Sequence, residues 1–343
     1  MRVLLVYPNT SGSGEIPINL SLLQACLKRH NHQVDIFDLT HYLEREDKEV
    51  AVKIGQFKKA LPPPFPKPTR ARENLETDLL AKVGKFKPDL VGITSMTTDF
   101  PEGLQCARVV KRSGDIPIIY GGVHATILPQ QVIENEGIDI VCVGEGEEPL
   151  VELCDNLQSG KDISHIPNLW VKTKDGIVRN EIRPLVDLDE LPPQDFSGFE
   201  EYDYYRPLAG ELYRMVNVQV ARGCPFLCSY CVNHYYQKMS RGKGRYFRKK
   251  SIEKAIAELC YYKETHRVDL VRFWDEDFTS LDVRWLGDFA SEYKRKVRLP
   301  FLIYARVETI TREKLGILKD MGCVTIGMGI ESGSPWIRRY VLS

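Results

Sequence analysis

Short apolar runs, separated by amphipathic stretches, constrain this chain more than any other feature. VLLVYP (3–8), VDIFDL (34–39), DLVGITSM (89–96), IPIIYGG (116–122) and IDIVCVG (138–144) read as strands. Helical periodicity fills the gaps, around 18–30, 72–86, 101–112 and 129–136, and follows the last strand at 148–158. Strands this continuously apolar are buried on both faces, and parallel strands need helical crossovers between them. Residues 1–158 therefore predict an α/β domain, doubly wound in the flavodoxin or Rossmann manner. Pro101 and Pro129 stand where helices begin, a position that tolerates the missing N–H. LPPPFPKP (61–68), with five prolines in eight residues, breaks the rhythm and reads as a stiff surface insertion.

Between residues 159 and 205 the periodicity lapses, apart from NLWVKT and IVRNEI, which flank Asp175-Gly176 as a hairpin. That stretch is expected to link two cores, since 343 residues exceed the ~250 to 300 at which a single core stops growing. A second β/α series occupies 206–343. Its strands are MVNVQVARG (215–223), LVRFWD (270–275), FLIYARV (301–307) and VTIGMGIE (324–331), with helices at 251–265, 283–296 and 311–321. Four such units make a partial (β/α) barrel with an open parallel edge. The expectation is a fragment truncated at its carboxyl end, or else a chain whose barrel a partner completes.

Lysine plus arginine (47) balances aspartate plus glutamate (47), so no global field draws nucleic acid or an anionic membrane. The opening MRVLLVYP is too short for a secretory signal, and no later run is long enough to span a bilayer. Nine cysteines, three of them clustered and none accompanied by an export signal, suit a reduced cytoplasmic setting and small-molecule partners.

The cluster is Cys224, Cys228 and Cys231 in ARGCPFLCSYCVNHYY. Thiolates suit iron-sulfur clusters and zinc alike. Three cysteines leave one iron of a 4Fe-4S cluster open, whereas a structural zinc needs a fourth ligand, and His234 is near enough in sequence to serve. The C-x3-C-x2-C spacing, its place after the first strand of a β/α series, and Tyr230 just before the last cysteine resemble the radical S-adenosylmethionine (SAM) superfamily. The resemblance implies that an open iron binds the amino and carboxylate groups of SAM. It also implies that the reduced cluster cleaves SAM to a 5′-deoxyadenosyl radical, using an electron donor such as flavodoxin or ferredoxin.

Further along, FWDEDFT is similar to the acidic motif of the cobalamin-dependent branch and departs from the superfamily's Gly-Gly-Glu. This implies SAM contacts from Asp275, Glu276 and Asp277, which otherwise read as a solvated loop. Arg306 in YARVE is expected to hold a carboxylate or to form a surface ion pair. Glu331 and Ser332 in GIESGS resemble ribose and methionine contacts, and Gly327, Gly329 and Gly333 let backbone approach a ligand. RGKGRYFRKK (241–250) reads as a solvated loop before a helix capped by Ser251, with binding of an anion as the other reading.

In the first core, NTSGSG lacks the third glycine of a dinucleotide fingerprint, which argues against NAD. Ser95-Met96-Thr97, Gly121-Gly122-Val123-His124 and Gly144-Glu145 resemble the strand ends of cobalamin-binding domains that precede radical SAM cores. The Asp-x-His-x-x-Gly signature is absent, so the resemblance implies cobalamin without a histidine on cobalt and His124 as a polar contact. The implied function is methyl transfer to an unactivated centre of a small molecule or natural-product intermediate. Alternatives are a non-methylating enzyme similar to the anaerobic magnesium-protoporphyrin monomethyl ester cyclase family, and a non-catalytic cobalamin- or zinc-binding module.

Overall fold

The computed structural model describes residues 1–9, 15–43 and 70–342; the proline-rich stretch at 61–68 and the glycines at 12 and 14 lie outside the described residues. The chain divides into two compact units. One holds residues 1–186 with 192–203, the other residues 187–191 with 204–343.

In the first unit, β1 (Arg2–Tyr7), α1 (Ile18–Arg29) and β2 (Gln33–Asp38) make the opening crossover. A short parallel pair follows, β3 (Tyr42–Leu43) with β4 (Arg70–Ala71). Next come α2 (Leu75–Phe86), β5 (Leu90–Thr94), α3 (Phe100–Arg112) and β6 (Ile118–Gly121). Two short helices, α4 (Val123–Ile127) and α5 (Pro129–Ile133), lead to β7 (Ile140–Cys142) and α6 (Glu147–Gln158). The seven-stranded sheet runs β2-β1-β5-β6-β7-β8-β9, where β8 (Leu169–Thr173) and β9 (Gly176–Arg179) are antiparallel.

The five parallel strands have the flavodoxin-like order, with the winding direction reversing between β1 and β5, and ligands of such sheets lie beyond the carboxyl ends. Val3, Leu4, Val6, Leu90, Val91 and Val141 are wholly buried, which is why these strands read as unbroken apolar runs. The hairpin expected within the linker is present, and it extends the sheet: Ile140 pairs with Val171 and Cys142 with Leu169.

The second unit starts with an antiparallel edge, β10 (Tyr205–Leu208), beside β11 (Glu211–Val218). A small pair, β12 (Ala221–Arg222) with β13 (Arg248–Lys249), brackets α7 (Asn233–Met239). Then α8 (Ile252–His266), β14 (Leu270–Phe273), α9 (Val283–Glu292), β15 (Phe301–Ala305), α10 (Arg312–Met321), β16 (Cys323–Met328) and α11 (Pro335–Tyr340) complete the unit. The sheet order is β10-β11-β14-β15-β16, parallel from β11 onward.

Side-chain caps fix the starts of α8, α9, α10 and α11, each contributing about 1 kcal/mol. The Ser251 hydroxyl accepts from Lys254 N–H at 3.2 Å, and Asp282 accepts from Trp285 N–H at 2.9 Å. On the sheet's helical side Phe273 packs against Phe278 and Phe301 at ring separations of 4.8 and 5.3 Å. Met215, Leu270 and Leu302 cover the opposite face near its amino end. Among the described residues no helix is long and apolar enough to cross a membrane.

Candidate functional site

The cysteine loop leaves the carboxyl end of β11 from a fixed start. β12 is paired to β13, and Gly223 then turns the chain at φ +89°. A Cβ at Gly223 would lie 2.5 Å from the Tyr246 carbonyl oxygen, so only glycine lets the two segments meet. Cys224 and Cys228 are buried, at 8% and 9% exposure, and Cys231 is half-buried. All three are free thiols.

Amides of α7 hold the loop. Gln237 Nε2 donates to the Cys224 carbonyl at 2.5 Å and to the Phe226 carbonyl at 3.3 Å, while Asn233 Nδ2 donates to Cys231 Sγ at 3.5 Å. Asn233 is itself oriented by the Tyr246 hydroxyl, which donates to its Oδ1 at 2.5 Å. From β15's end, Arg306 Nη1 donates to Cys228 Sγ at 2.5 Å, and its guanidinium lies 4.1 Å from the centre of the Phe226 ring. Burial pushes the Cys224 thiol up to about 11; a thiol kept neutral this way ionises when a metal takes the place of its proton.

The donor set bears on what the loop can hold. His234, the candidate fourth zinc ligand, directs Nδ1 at the Cys228 carbonyl oxygen, 3.3 Å away. Among the described residues no three or more His, Cys, Asp or Glu side chains close around a single ion. Three thiols spread along one loop without a fourth ligand suit a cluster, in which each thiolate takes a different iron, better than tetrahedral zinc.

The acidic segment divides its labour in a way the sequence does not disclose. Asp275 is buried and turned inward, its Oδ1 accepting from Val220 N–H at 3.2 Å and Ala221 N–H at 2.5 Å. Desolvation pushes its carboxyl up to about 8. Asp277 is also buried. Its Oδ1 accepts from Thr279 N–H at 3.2 Å, the Thr279 hydroxyl at 2.8 Å, Arg306 N–H at 3.2 Å and the Thr309 hydroxyl at 3.2 Å. Its Oδ2 takes the Ser280 hydroxyl at 2.6 Å. Asp275 thus fastens the start of the cysteine loop through Oδ1, while its Oδ2 is buried without a hydrogen-bond partner among the described residues, and Asp277, with both oxygens bonded, ties the ends of β14 and β15. Glu276 is the member that reaches solvent. It sits in a crowded concavity, so desolvation raises its carboxyl pKa even though the Gly223 N–H and the charges of Arg222 and Arg248 oppose the rise.

Tyr230 is 52% exposed and hydrogen-bonds Cys228; desolvation, followed by the charges of Cys228 and Glu331, pushes its phenol up to about 12. Glu331 adopts φ +60° and folds its carboxylate over Gly329, where a Cβ would stand 2.2 Å from Oε1. Ser332 is half-buried, its hydroxyl accepting from Ser334 N–H at 3.1 Å. Gly327 lies under the Tyr304 ring, 2.8 Å from where its own Cβ would be. Cys228, Tyr230, Arg306 and Glu331 therefore meet in one place, whereas Asp275 and Asp277 act as struts. Sequence reasoning missed Asn233, Gln237 and Tyr246; the one available signal was the i, i+4 spacing of the two amides just after the last cysteine.

The strand ends of the first unit are built differently. Ser95 is buried, its Oγ 2.8 Å from the Tyr120 hydroxyl, and the Ser95 carbonyl accepts from His124 N–H at 3.3 Å. Tyr120 reaches Ser95 across α3 because Gly103 has no side chain: a Cβ there would lie 2.0 Å from the hydroxyl. The Gly121 carbonyl accepts from Ser95 N–H at 3.3 Å, and Gly122, at φ +95°, leaves no room for a Cβ, which would meet the Ser95 carbonyl at 2.6 Å.

His124 is buried against Phe100 with ring centres 4.0 Å apart, and burial lowers its pKa. Its Nδ1 pairs with Thr97 Oγ1 at 3.2 Å, while Nε2 has no partner among the described residues. Gly144, at φ +85°, donates its N–H to Thr126 Oγ1 at 3.1 Å, and Glu145 Oε2 accepts from Val186 N–H at 3.0 Å. Met96 and Thr97 alone of the Ser-Met-Thr run are exposed. Small, mutually tied residues leave a bare surface above the strands, with an unsatisfied imidazole nitrogen beneath it.

Fold and site together define a radical SAM chain with a doubly wound domain ahead of its cysteine-bearing sheet. Residues 218–341 match the Radical SAM superfamily and residues 68–154 the B12 binding domain, so the chain joins a B12-binding domain to a radical SAM domain. It is 29% identical to an uncharacterized methyltransferase of Pyrococcus horikoshii over 99% of this chain and 68% of that one. Identity to the anaerobic magnesium-protoporphyrin IX monomethyl ester cyclase of Rubrivivax gelatinosus is 26%, over 76% of this chain and 46% of the cyclase. Among solved structures, the radical SAM methyltransferase TsrM of Kitasatospora setae superposes with a TM-score of 0.73 at 20% identity, covering 98% of this chain and 60% of TsrM. The chain thus spans roughly half to two thirds of the length of these relatives.

Proposed function

We propose that this chain carries the cofactor-binding part of a cobalamin-dependent radical SAM methyltransferase acting on a small molecule in the reduced cytoplasm. The observation that carries the reading is the loop of three free thiols at the end of β11, braced by Arg306 and Gln237, with no fourth ligand among the described residues. Support comes from the methyltransferases among its relatives. When bound, the cluster supplies an electron for reductive cleavage of SAM and cobalamin supplies a carrier for its methyl group.

In this reading the thiolates of Cys224, Cys228 and Cys231 hold the cluster. Arg306 balances their charge and offers a guanidinium to the SAM carboxylate. Glu276 takes the amino group, with Asp275 and Asp277 as its supports. Tyr230, Glu331 and Ser332 border the nucleoside. Met96 and Thr97, with Gly121, Gly122, Gly144 and Glu145, form the surface for the corrin, and His124 supports it from below. An electron donor such as flavodoxin or ferredoxin completes the set of partners.

Anaerobic reconstitution tests the proposal. About four irons per chain, one retained cobalamin and conversion of SAM to both 5′-deoxyadenosine and S-adenosylhomocysteine are expected. Stoichiometric zinc with no iron, or failure to retain cobalamin, overturns it.

A further inference from the structure

Charge is distributed unevenly around the cysteine loop. From residue 212 to residue 252 the sequence holds nine lysines and arginines and no aspartate or glutamate, although the whole chain is neutral, so the remainder is correspondingly acidic. Of these cations, Lys249 pairs with Asp282 and Lys250 with Glu258, and the charges of Arg222 and Arg248 act on Glu276. Arg214 donates to the His266 carbonyl at 2.6 Å. Lys238, Arg241 and Arg245 are exposed and form no ion pair among the described residues.

All three sit on the segment that is strapped to the cysteine loop. Gln237, next to Lys238, bonds the Cys224 carbonyl, and Tyr246, next to Arg245, bonds Asn233 and packs its carbonyl on Gly223. The pairing of β12 with β13 closes the strap. Exposed cations pointing to solvent suit a macromolecular partner better than an enclosed small anion. An acidic partner is drawn to these exposed cations and disfavoured by the net negative charge of the remaining sequence, an arrangement that steers encounter.

Resting on the proposed function, we infer that Lys238, Arg241 and Arg245 form the docking surface for an acidic protein that carries one-electron equivalents to the cluster. One electron leaves the reduced carrier and one enters the cluster, so the carrier is oxidised and the cluster reduced by one charge, with no atom transferred.

The test is stopped-flow reduction of the reconstituted full chain by photoreduced flavodoxin, with dithionite as the small reductant. The Lys238→Glu, Arg241→Glu, Arg245→Glu triple should slow reduction by flavodoxin roughly tenfold or more and abolish its salt dependence, while iron content and the dithionite rate stay at wild-type values. The triple to glutamine removes charge without adding repulsion and should fall between the two. Equal flavodoxin rates in all three proteins, or rates that do not change with salt in the wild type, overturn the inference; so does salt-dependent pyrophosphate binding lost in the triples while flavodoxin rates hold, which assigns the patch to a small anion. A wild-type chain that takes up no iron overturns the underlying function as well, and is told apart by iron analysis alone.

Discussion

The two units present their strand ends in opposite ways. In the first, the residues with chemistry are spent inward: Ser95 on Tyr120, His124 on Thr97 and Phe100, Glu145 on the chain at Val186. What remains outward is mainly glycine backbone and the exposed Met96 and Thr97. In the second, donor atoms themselves face the site: three thiols, the Arg306 guanidinium, the Tyr230 phenol and the Glu276 carboxylate. A surface made by removing side chains suits a broad, flat ligand, whereas one made by collecting donors suits a compact charged one.

That contrast can be broken at its strongest point first. Cys228→Ala should bring iron after reconstitution from about four per chain to background, with cobalamin retention unchanged; simultaneous loss of cobalamin would show that the two sites are not separate. Gly122→Val should do the reverse. Its Cβ meets the Ser95 carbonyl in a backbone conformation that favours glycine, so a cost of at least about 2 kcal/mol and loss of cobalamin are expected, with iron uptake intact in the fraction that folds.

Asp275→Asn sharpens the comparison through pH. The carboxyl of Asp275 is raised to about 8, so its stabilising contribution is full below the ordinary carboxyl range, near pH ~4, and is lost as pH rises through the folded value. Asparagine keeps an acceptor for the Val220 and Ala221 N–H groups without titrating. Chemical denaturation between about pH 5 and about pH 8 should show wild-type stability falling by on the order of a few kcal/mol relative to the variant; parallel curves would rule the buried acid out. The smallest effect is expected of His124→Ala, which removes a ring packed on Phe100 at about 1 to 3 kcal/mol but should leave the absorption spectrum of bound hydroxocobalamin unaltered, since the imidazole is a support. A shifted spectrum would make His124 a cobalt ligand.

Much of the architecture was legible because the inner strands, β1, β5, β6 and β7 in the first unit and β14 and β15 in the second, are largely buried on both faces and so announce themselves as apolar runs. The antiparallel edge β10 was not, since YRPL is only partly buried and carries no alternation. Nor was the joining of the hairpin to β7, which depends on the register of Ile140 with Val171 rather than on local sequence. The three cysteines were readable from spacing. What spacing could not separate is the acid that faces solvent from the two that face inward: in FWDEDFT the three look alike, and their roles are decided by which strand ends they bridge, Asp277 reaching Arg306 and Thr309 across 29 and 32 residues. The supporting amides of α7 were equally hidden, because a seven-residue helix leaves little periodicity.

The contact between Gly103 and the Tyr120 hydroxyl has a further consequence, for how this sequence can drift. A residue near the start of a helix is held to hydrogen by a phenol whose own task is to fix Ser95 at a strand end. Exchange of Gly103 for alanine, which ordinarily favours a helix by about 1 kcal/mol, is closed to the chain unless position 120 shrinks first, and a smaller residue at 120 releases Ser95. Three positions far apart in sequence thus form an epistatic set, in which the helix has to forgo its own optimum for as long as the strand end keeps its shape.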